Sequence, residues 1–221
     1  MTRLQIQRQL ETVFQQHLGV TPTVTQGLVP PALSAGKLYE AHVLSRVVEH
    51  LAIDEKYQLT LVGGSKLQLK SAPGPINRIY PRIELKRAGT CVAELWTDVE
   101  FLALSHCSVP GSTLTKGCYH ELDIIIVNAG LTGRPRCDTL WLGIECKNTG
   151  YQKGLLKEIL GIRRELSLLV EEQATKFRVW PRTRVPANPA SCLLVYTTDA
   201  DVSNYSAPGK MFGIDFVHEP M

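Results

Sequence analysis

Leu4, Leu10, Val13, Phe14 and Leu18 recur at helical spacing through MTRLQIQRQLETVFQQHL, which predicts a helix over residues 3 to 18. After a proline-containing connector, Ser34 is a fit N-cap for a second helix over about 35 to 53. Its apolar stripe is Val43, Leu44, Val47, Val48 and Leu51. Gly63-Gly64 and SAPGP mark turns. IYPRIELKR and CVAELWTDVEFLAL, separated by AGT, predict a β-hairpin. YHELDIIIVN and TLWLGIECK predict two further strands, with AGLTGRP between them. GLLKEILGIRRELSLLVEE predicts a helix with Leu155, Ile159, Ile162, Leu166 and Leu169 on one stripe. A basic, proline-broken loop covers roughly 174 to 190. The buried strand SCLLVYTT, a short helical segment and a last strand, GIDFV, follow. This order predicts an α/β fold with a central mixed β-sheet flanked by helices. Residues 1–33 read as an N-terminal helical arm and 34–221 as the main domain.

Several charged residues interrupt these apolar runs. In a strand, residues i and i+2 share a face. Glu145 and Lys147 therefore project together, with Trp141 and Gly143, while Leu142, Ile144 and Cys146 point into packing. In the preceding strand Asp123 lies between Leu122 and Ile124. It is expected on the face of Tyr119, Glu121, Ile125 and Val127, with His120 turned away. Glu40 falls within the apolar stripe of the second helix, whereas Glu49 is on its wet face. An ionised carboxylate on a buried face must be paired, protonated or metal-bound. Each of these residues alone also fits a plain solvated strand end, a turn cap or a frayed helix start.

Composition narrows the field. Apolar residues make up 44% of the 221 positions, enough for a packed core, and the net charge is only +3. Nucleic-acid binding would need basic residues gathered on one face. No run reaches the length of a membrane span. The start lacks a signal-peptide pattern, so a cytoplasmic protein with reduced thiols is expected. The six cysteines form no CxxC, and Cys107, Cys118, His120 and Cys137 match no common zinc spacing.

The helix acid Glu40, the strand acid Asp123 in ELDIII and the pair Glu145 and Lys147 in IECK resemble the PD-(D/E)xK nuclease superfamily. The resemblance covers roughly residues 34 to 218 and implies a restriction-endonuclease-like fold. It implies Mg²⁺, with Mn²⁺ as substitute, held by Asp123, Glu145 and the backbone carbonyl of Cys146. Lys147 would then orient water or stabilise developing charge, and Glu40 would hold a second metal or a metal-bound water. The implied activity is metal-dependent hydrolysis of DNA phosphodiesters, in restriction, anti-phage defence or DNA processing, with a homodimer as a common form. Leu122 directly precedes Asp123 in place of the pattern's proline, which members of the family often lack.

Lys153 and Lys157 lie where such enzymes carry polar residues on the following helix. In KFRVWPRTR, Arg178, Arg182 and Arg184 surround Trp180, which suggests phosphate contacts beside a stacking ring. An ordinary loop with a packed tryptophan is the alternative. Arg78, Arg82, Lys86 and Arg87 read as a solvated edge strand. Asp98 and Glu100 read as a polar sheet face, with Glu100 in reserve as a metal ligand. A non-catalytic nucleic-acid-binding or assembly module on the same fold, or an RNA-cleaving nuclease, would fit the same residues.

Overall fold

The structure is a computed structural model that describes residues 2–20, 34–64, 69, 72–109, 111, 113–150, 152–170, 173–181, 184–185 and 187–221, the last-named pair, 184–185, for backbone only. Helix α1 (Arg3–Leu18) opens on a capping box. Thr2 Oγ1 accepts from Gln5 N at 3.3 Å, and Thr2 N donates to Gln5 Oε1 at 2.7 Å. Helix α2 (Ala35–Ile53) opens on Ser34, whose Oγ accepts from Lys37 N at 3.2 Å.

The strands β1 (Gln58–Val62), β2 (Arg82–Arg87), β3 (Thr90–Leu102), β4 (Tyr119–Asn128) and β5 (Leu140–Lys147) form an antiparallel meander. A single helical turn, α3 (Leu104–Cys107), follows β3. Helix α4 (Lys153–Leu166) crosses over after β5, and a small ribbon is made by β6 (Gln173–Ala174) and β7 (Arg184–Val185). Then β8 (Cys192–Thr197) pairs parallel to β5. Short helix α5 (Ser206–Met211) leads to β9 (Ile214–His218), parallel to β8. The main sheet has seven strands in the order β1-β2-β3-β4-β5-β8-β9. Chain direction thus changes from antiparallel to parallel at β5.

Each face of the sheet carries its own apolar cluster. On one face Ile6, Leu10, Val13, Phe14 and Leu18 of α1 and Leu44, Val47 and Leu51 of α2 meet Ile83, Leu95, Ile124, Leu142 and Leu194. On the other, Ile159, Ile162 and Leu166 of α4 meet Trp96, Phe101, Ile125, Leu193 and Ile214. Arg163 ties α4 to the residue that opens onto β8 through Ser191 O at 3.0 Å and Ser191 Oγ at 3.2 Å, and it also bonds Ser167 Oγ at the end of its own helix. Burial pushes its guanidinium down to about 10. Among the described residues no helix is long and apolar enough to cross a membrane.

Four expectations change. In helix α1, Ile6 and Leu10 are fully buried against the core, and Leu4, expected on the apolar stripe, faces solvent instead. QLTLV forms β1, so β2 is an interior strand. The helix after β5 stops at Leu166 because Ser167 turns extended and Leu168 bridges to Asn188. Leu169 therefore lies beyond the helix and is 39% exposed.

The basic residues of the hairpin are neutralised locally. Glu94, 1% exposed, accepts from Arg78 Nη2 at 2.9 Å and Arg82 Nε at 3.2 Å. Burial alone would raise the Glu94 carboxyl, but the two guanidinium groups outweigh it and hold it below the ordinary value. Lys86 pairs with Glu84 at 3.3 Å, and Arg87 lies 4.4 Å from the Tyr57 ring centroid.

Removing the charge at Glu94 leaves two guanidinium groups facing a buried amide. Glu94→Gln is expected to cost roughly 3 kcal/mol at neutral pH in urea unfolding. Because the folded carboxyl is depressed, its stabilisation is present above the unfolded value of 4.5 and is lost as pH falls through the folded value. The gap between wild type and variant should narrow below about pH 4.5, and a gap that stays constant with pH would refute this account.

Candidate functional site

The second helix supplies two charges on one face. Lys37 and Glu40 are one turn apart, and Lys37 Nζ lies 2.6 Å from Glu40 Oε2. The same ammonium lies 2.5 Å from Asp98 Oδ1 on β3. Glu40 is 9% exposed and Asp98 5%.

A local break in strand alternation brings Asp98 and Asp123 to this helix. The β3–β4 ladder pairs Thr97 with Ile124 and Val99 with Leu122. Between these pairs Asp98 takes a left-handed conformation, φ 52°. Aspartate tolerates that region better than most residues, at a cost of roughly 1 kcal/mol. The neighbouring side chains record the turnover: Ile124 packs towards α1 and α2, and Leu122 packs with the α4 cluster although both positions are even-numbered. One carboxylate oxygen each from Glu40, Asp98 and Asp123 then lie within 4.8 Å of one another. The sequence pattern assigns Asp98 to ordinary sheet polarity, and it is the residue that pattern misses. A left-handed non-glycine residue leaves no mark in hydrophobic periodicity.

The β4–β5 ladder ends at Ile124 and Ile144. One step further, Asp123 Oδ2 accepts the backbone N–H of Cys146 at 2.7 Å. The aspartate therefore occupies the seam where the two strands part. Glu145 and Lys147 project together, as expected, on the α4 side. They line a cleft with His120, Glu121, Glu158 and Ile162. Lys147 Nζ lies 2.9 Å from Glu145 Oε2 and 3.6 Å from Glu158 Oε1.

Three orientations thus differ from strict alternation. Asp123 joins Glu40 and Asp98 on the α2 side of the seam. His120 lines the Glu145–Lys147 cleft instead of facing away. Trp141 packs towards α1 and α2, because a register shift falls between Ile126 and Val127. The expected sharing of one face by Asp123 and Glu145 is replaced by a seam, with an acid trio on one side and an acid–lysine pair on the other. Gly143 leaves room for this: a Cβ there would meet Leu122 Cδ1 at 2.7 Å.

The charges respond to their crowding. Burial, then the charge of Asp123, raises the Glu40 carboxyl to about 7, although the Lys37 hydrogen bond pulls it down. Burial raises Asp123 as well, against the Cys146 N–H and Lys147. Glu145 is raised by burial and then by Asp123, which makes Asp123 the electrostatic link between the two halves. Burial works to lower Lys147 and Lys37, but their carboxylate partners hold both above the ordinary lysine value. Burial pushes the Cys146 thiol far up, so it remains protonated within the packing of α1 and α2.

The remaining charged candidates lie elsewhere. Glu100 is held by Arg134 at 2.7 Å and is not part of the acid trio. Lys153 and Lys157 are exposed on the first turns of α4, the helix that supplies Glu158 to the cleft. Arg178 is exposed, but its backbone is anchored: the N–H groups of Arg178 and Trp180 donate to Glu55 at 2.9 and 2.8 Å, and that of Val179 at 2.5 Å. Glu55, 3% exposed, was not foreseen as the organiser of this loop. The Trp180 ring stacks on His50 with centroids 4.5 Å apart and meets Phe177 edge-on, so one face of the ring is taken. His50 lies ten residues beyond Glu40, about 15 Å along α2, which separates this loop from the acid trio. Arg182 and the side chain of Arg184 lie outside the described residues.

The donor set suits a hard divalent cation. All three clustered groups are carboxylates, the oxygen donors that such an ion takes.

Glu40 titration gives a direct check. A folded carboxyl at about 7 keeps a proton that the unfolded chain has already released above 4.5. Stability in EDTA should therefore fall as pH rises through that window. Glu40→Gln should make this fall shallower, the remainder belonging to Asp123 and Glu145, and be the more stable protein at pH 8, by about 1 kcal/mol, in urea unfolding at pH 5 and pH 8. Parallel profiles for the two proteins would contradict the assignment.

No protein-family model, no curated protein and no solved structure matches this chain.

Proposed function

We propose that the chain is a divalent-metal-dependent nuclease with a restriction-endonuclease-like core, hydrolysing phosphodiester bonds of DNA. The observation that carries this reading is the meeting of Glu40, Asp98 and Asp123, from three separate elements, beside the Glu145–Lys147 pair. Glu40, Asp98 and Asp123 would hold Mg²⁺ or Mn²⁺; of the ligands that the resemblance implied, Asp123 is kept, while Glu145 and the Cys146 carbonyl give way to Asp98 and Glu40. When bound, such an ion neutralises phosphate charge and acidifies a coordinated water.

The chain's own groups divide the remaining work. Asp123 is fixed by the Cys146 N–H, so its free oxygen keeps one direction. Lys147 is held as an ammonium by Glu145 and Glu158, so it donates hydrogen bonds to a phosphate oxygen or to water and does not act as a base. Raised to about 8 by burial and by Asp123, Glu145 carries a proton near neutral pH that it can give up in the cleft. Lys37 neutralises Glu40 and Asp98 until a cation takes its place. Lys153 and Lys157 reach phosphates flanking the cleft.

One observation favours a second reading. An ammonium already bridging Glu40 and Asp98 also describes a closed, non-catalytic module that binds nucleic acid or a protein partner.

Incubation of plasmid, single-stranded DNA and RNA with Mg²⁺, Mn²⁺ or EDTA separates the two. The nuclease reading expects metal-dependent cutting of DNA. It expects Asp123→Asn and Lys147→Ala each to lower the rate by about 100-fold or more, with near-wild-type unfolding midpoints. Binding without cutting in every metal would establish the module, and preferential cutting of RNA would change the substrate.

A further inference from the structure

The Lys37 ammonium occupies the mouth of the acid trio. It lies 2.6 Å from Glu40 Oε2 and 2.5 Å from Asp98 Oδ1, so one positive charge is shared by two of the three acids. The Lys37 side chain is 22% exposed, against 11% for Glu40 and 5% for Asp98. Lys37 therefore closes the trio from the solvent side. An ion sharing those oxygens at about 2.1 Å would crowd the ammonium with like charge. The two occupants exclude one another.

The backbone beneath this side chain is fixed. Lys37 N donates to Ser34 Oγ at 3.2 Å, and Asn148 Nδ2 donates to Ala35 O at 3.2 Å, which holds the first turn of α2 against the residue after Lys147. The four-carbon stem is flexible, so the ammonium can swing towards water while the helix stays in place.

We propose that Lys37 is a tethered counter-ion that yields its place to a divalent cation and swings into solvent, so that the trio admits divalent ions and turns monovalent ones away. This deepens the metal-binding part of the nuclease reading and rests on it. A monovalent ion brings no more charge than the lysine it would displace, and the lysine is already attached at the site. A divalent ion brings twice the charge and can engage all three acids where Lys37 pairs with two. The exchange moves no proton, since Lys37 leaves as an ammonium.

Two measurements without nucleic acid test this. In the first, the full wild-type chain is briefly acetylated with N-hydroxysuccinimide acetate, with and without saturating Mn²⁺, and mapped by peptide mass. Lys37 is expected to react several-fold faster with Mn²⁺, while the exposed Lys116 and Lys210 keep their rates. In the second, Mn²⁺ affinity is measured by calorimetry at equal ionic strength in potassium chloride and in tetramethylammonium chloride. Lys37→Met should bind Mn²⁺ about tenfold tighter than wild type in tetramethylammonium chloride and lose more affinity in potassium chloride than wild type does. Lys37→Arg should stay near wild type in both salts.

A Lys37 rate that Mn²⁺ does not change, equal Mn²⁺ affinity in wild type and Lys37→Met, or an equal response to potassium overturns the proposal, as does a lack of Mn²⁺ binding in all three proteins. If Lys37→Met does not fold, the wild-type acetylation map still decides. Exchange in a protein that cuts no nucleic acid would leave this inference standing and sink the nuclease reading. Cutting without exchange would do the reverse.

Discussion

The centre of this molecule is a compression of negative charge. Glu40, Asp98 and Asp123 are brought within 4.8 Å of one another, and Glu145 feels Asp123 across the β4–β5 seam. Like charges at that spacing in a partly buried setting repel strongly. The fold tolerates them because Lys37, Lys147 and the Cys146 N–H each neutralise part of the set. The two apolar clusters, on either face of the sheet, supply the rigidity that keeps the acids from moving apart. Local strain at Asp98 follows from the same demand, since only its left-handed turn lets that carboxylate reach α2.

Much of this was legible in the chain. Amphipathic periodicity marked the first two helices, and Ser34 is a chemical start signal for the second as well as a pattern break. Glu40 announced itself as an acid in an apolar stripe, Asp123 as an acid in ELDIII, and Glu145 with Lys147 as a charged end to an apolar run. These are residues whose type conflicts with their surroundings, and such conflicts are where function tends to collect.

What stayed hidden is geometry that side-chain type does not encode. QLTLV is too short and too mixed to stand out, and it became a strand because β2 offered a free edge. Strict alternation misplaced His120, Trp141 and the Asp123 side chain because the ladder turns over at Asp98 and shifts register near Val127. Asp98 looked like one of several alternating acids until its backbone torsion set it apart from Glu100, which is bound to Arg134. Trp180, flanked by cations in sequence, is held by contacts with His50, Phe177 and, through its amide, Glu55. All three partners are distant or unremarkable in the linear chain.

The change of direction at β5 also imposes an order in time. Everything needed for the trio, α2 with β3 and β4, is synthesised before Lys147 leaves the ribosome. By contrast, β5 gains its parallel neighbour only once β8 has been made, after α4 has crossed over. Domains emerge from synthesis N-terminus first. A nascent chain would thus assemble its charge-gathering half early, with Lys37 as its resident counter-ion, and set the lysine-bearing half late.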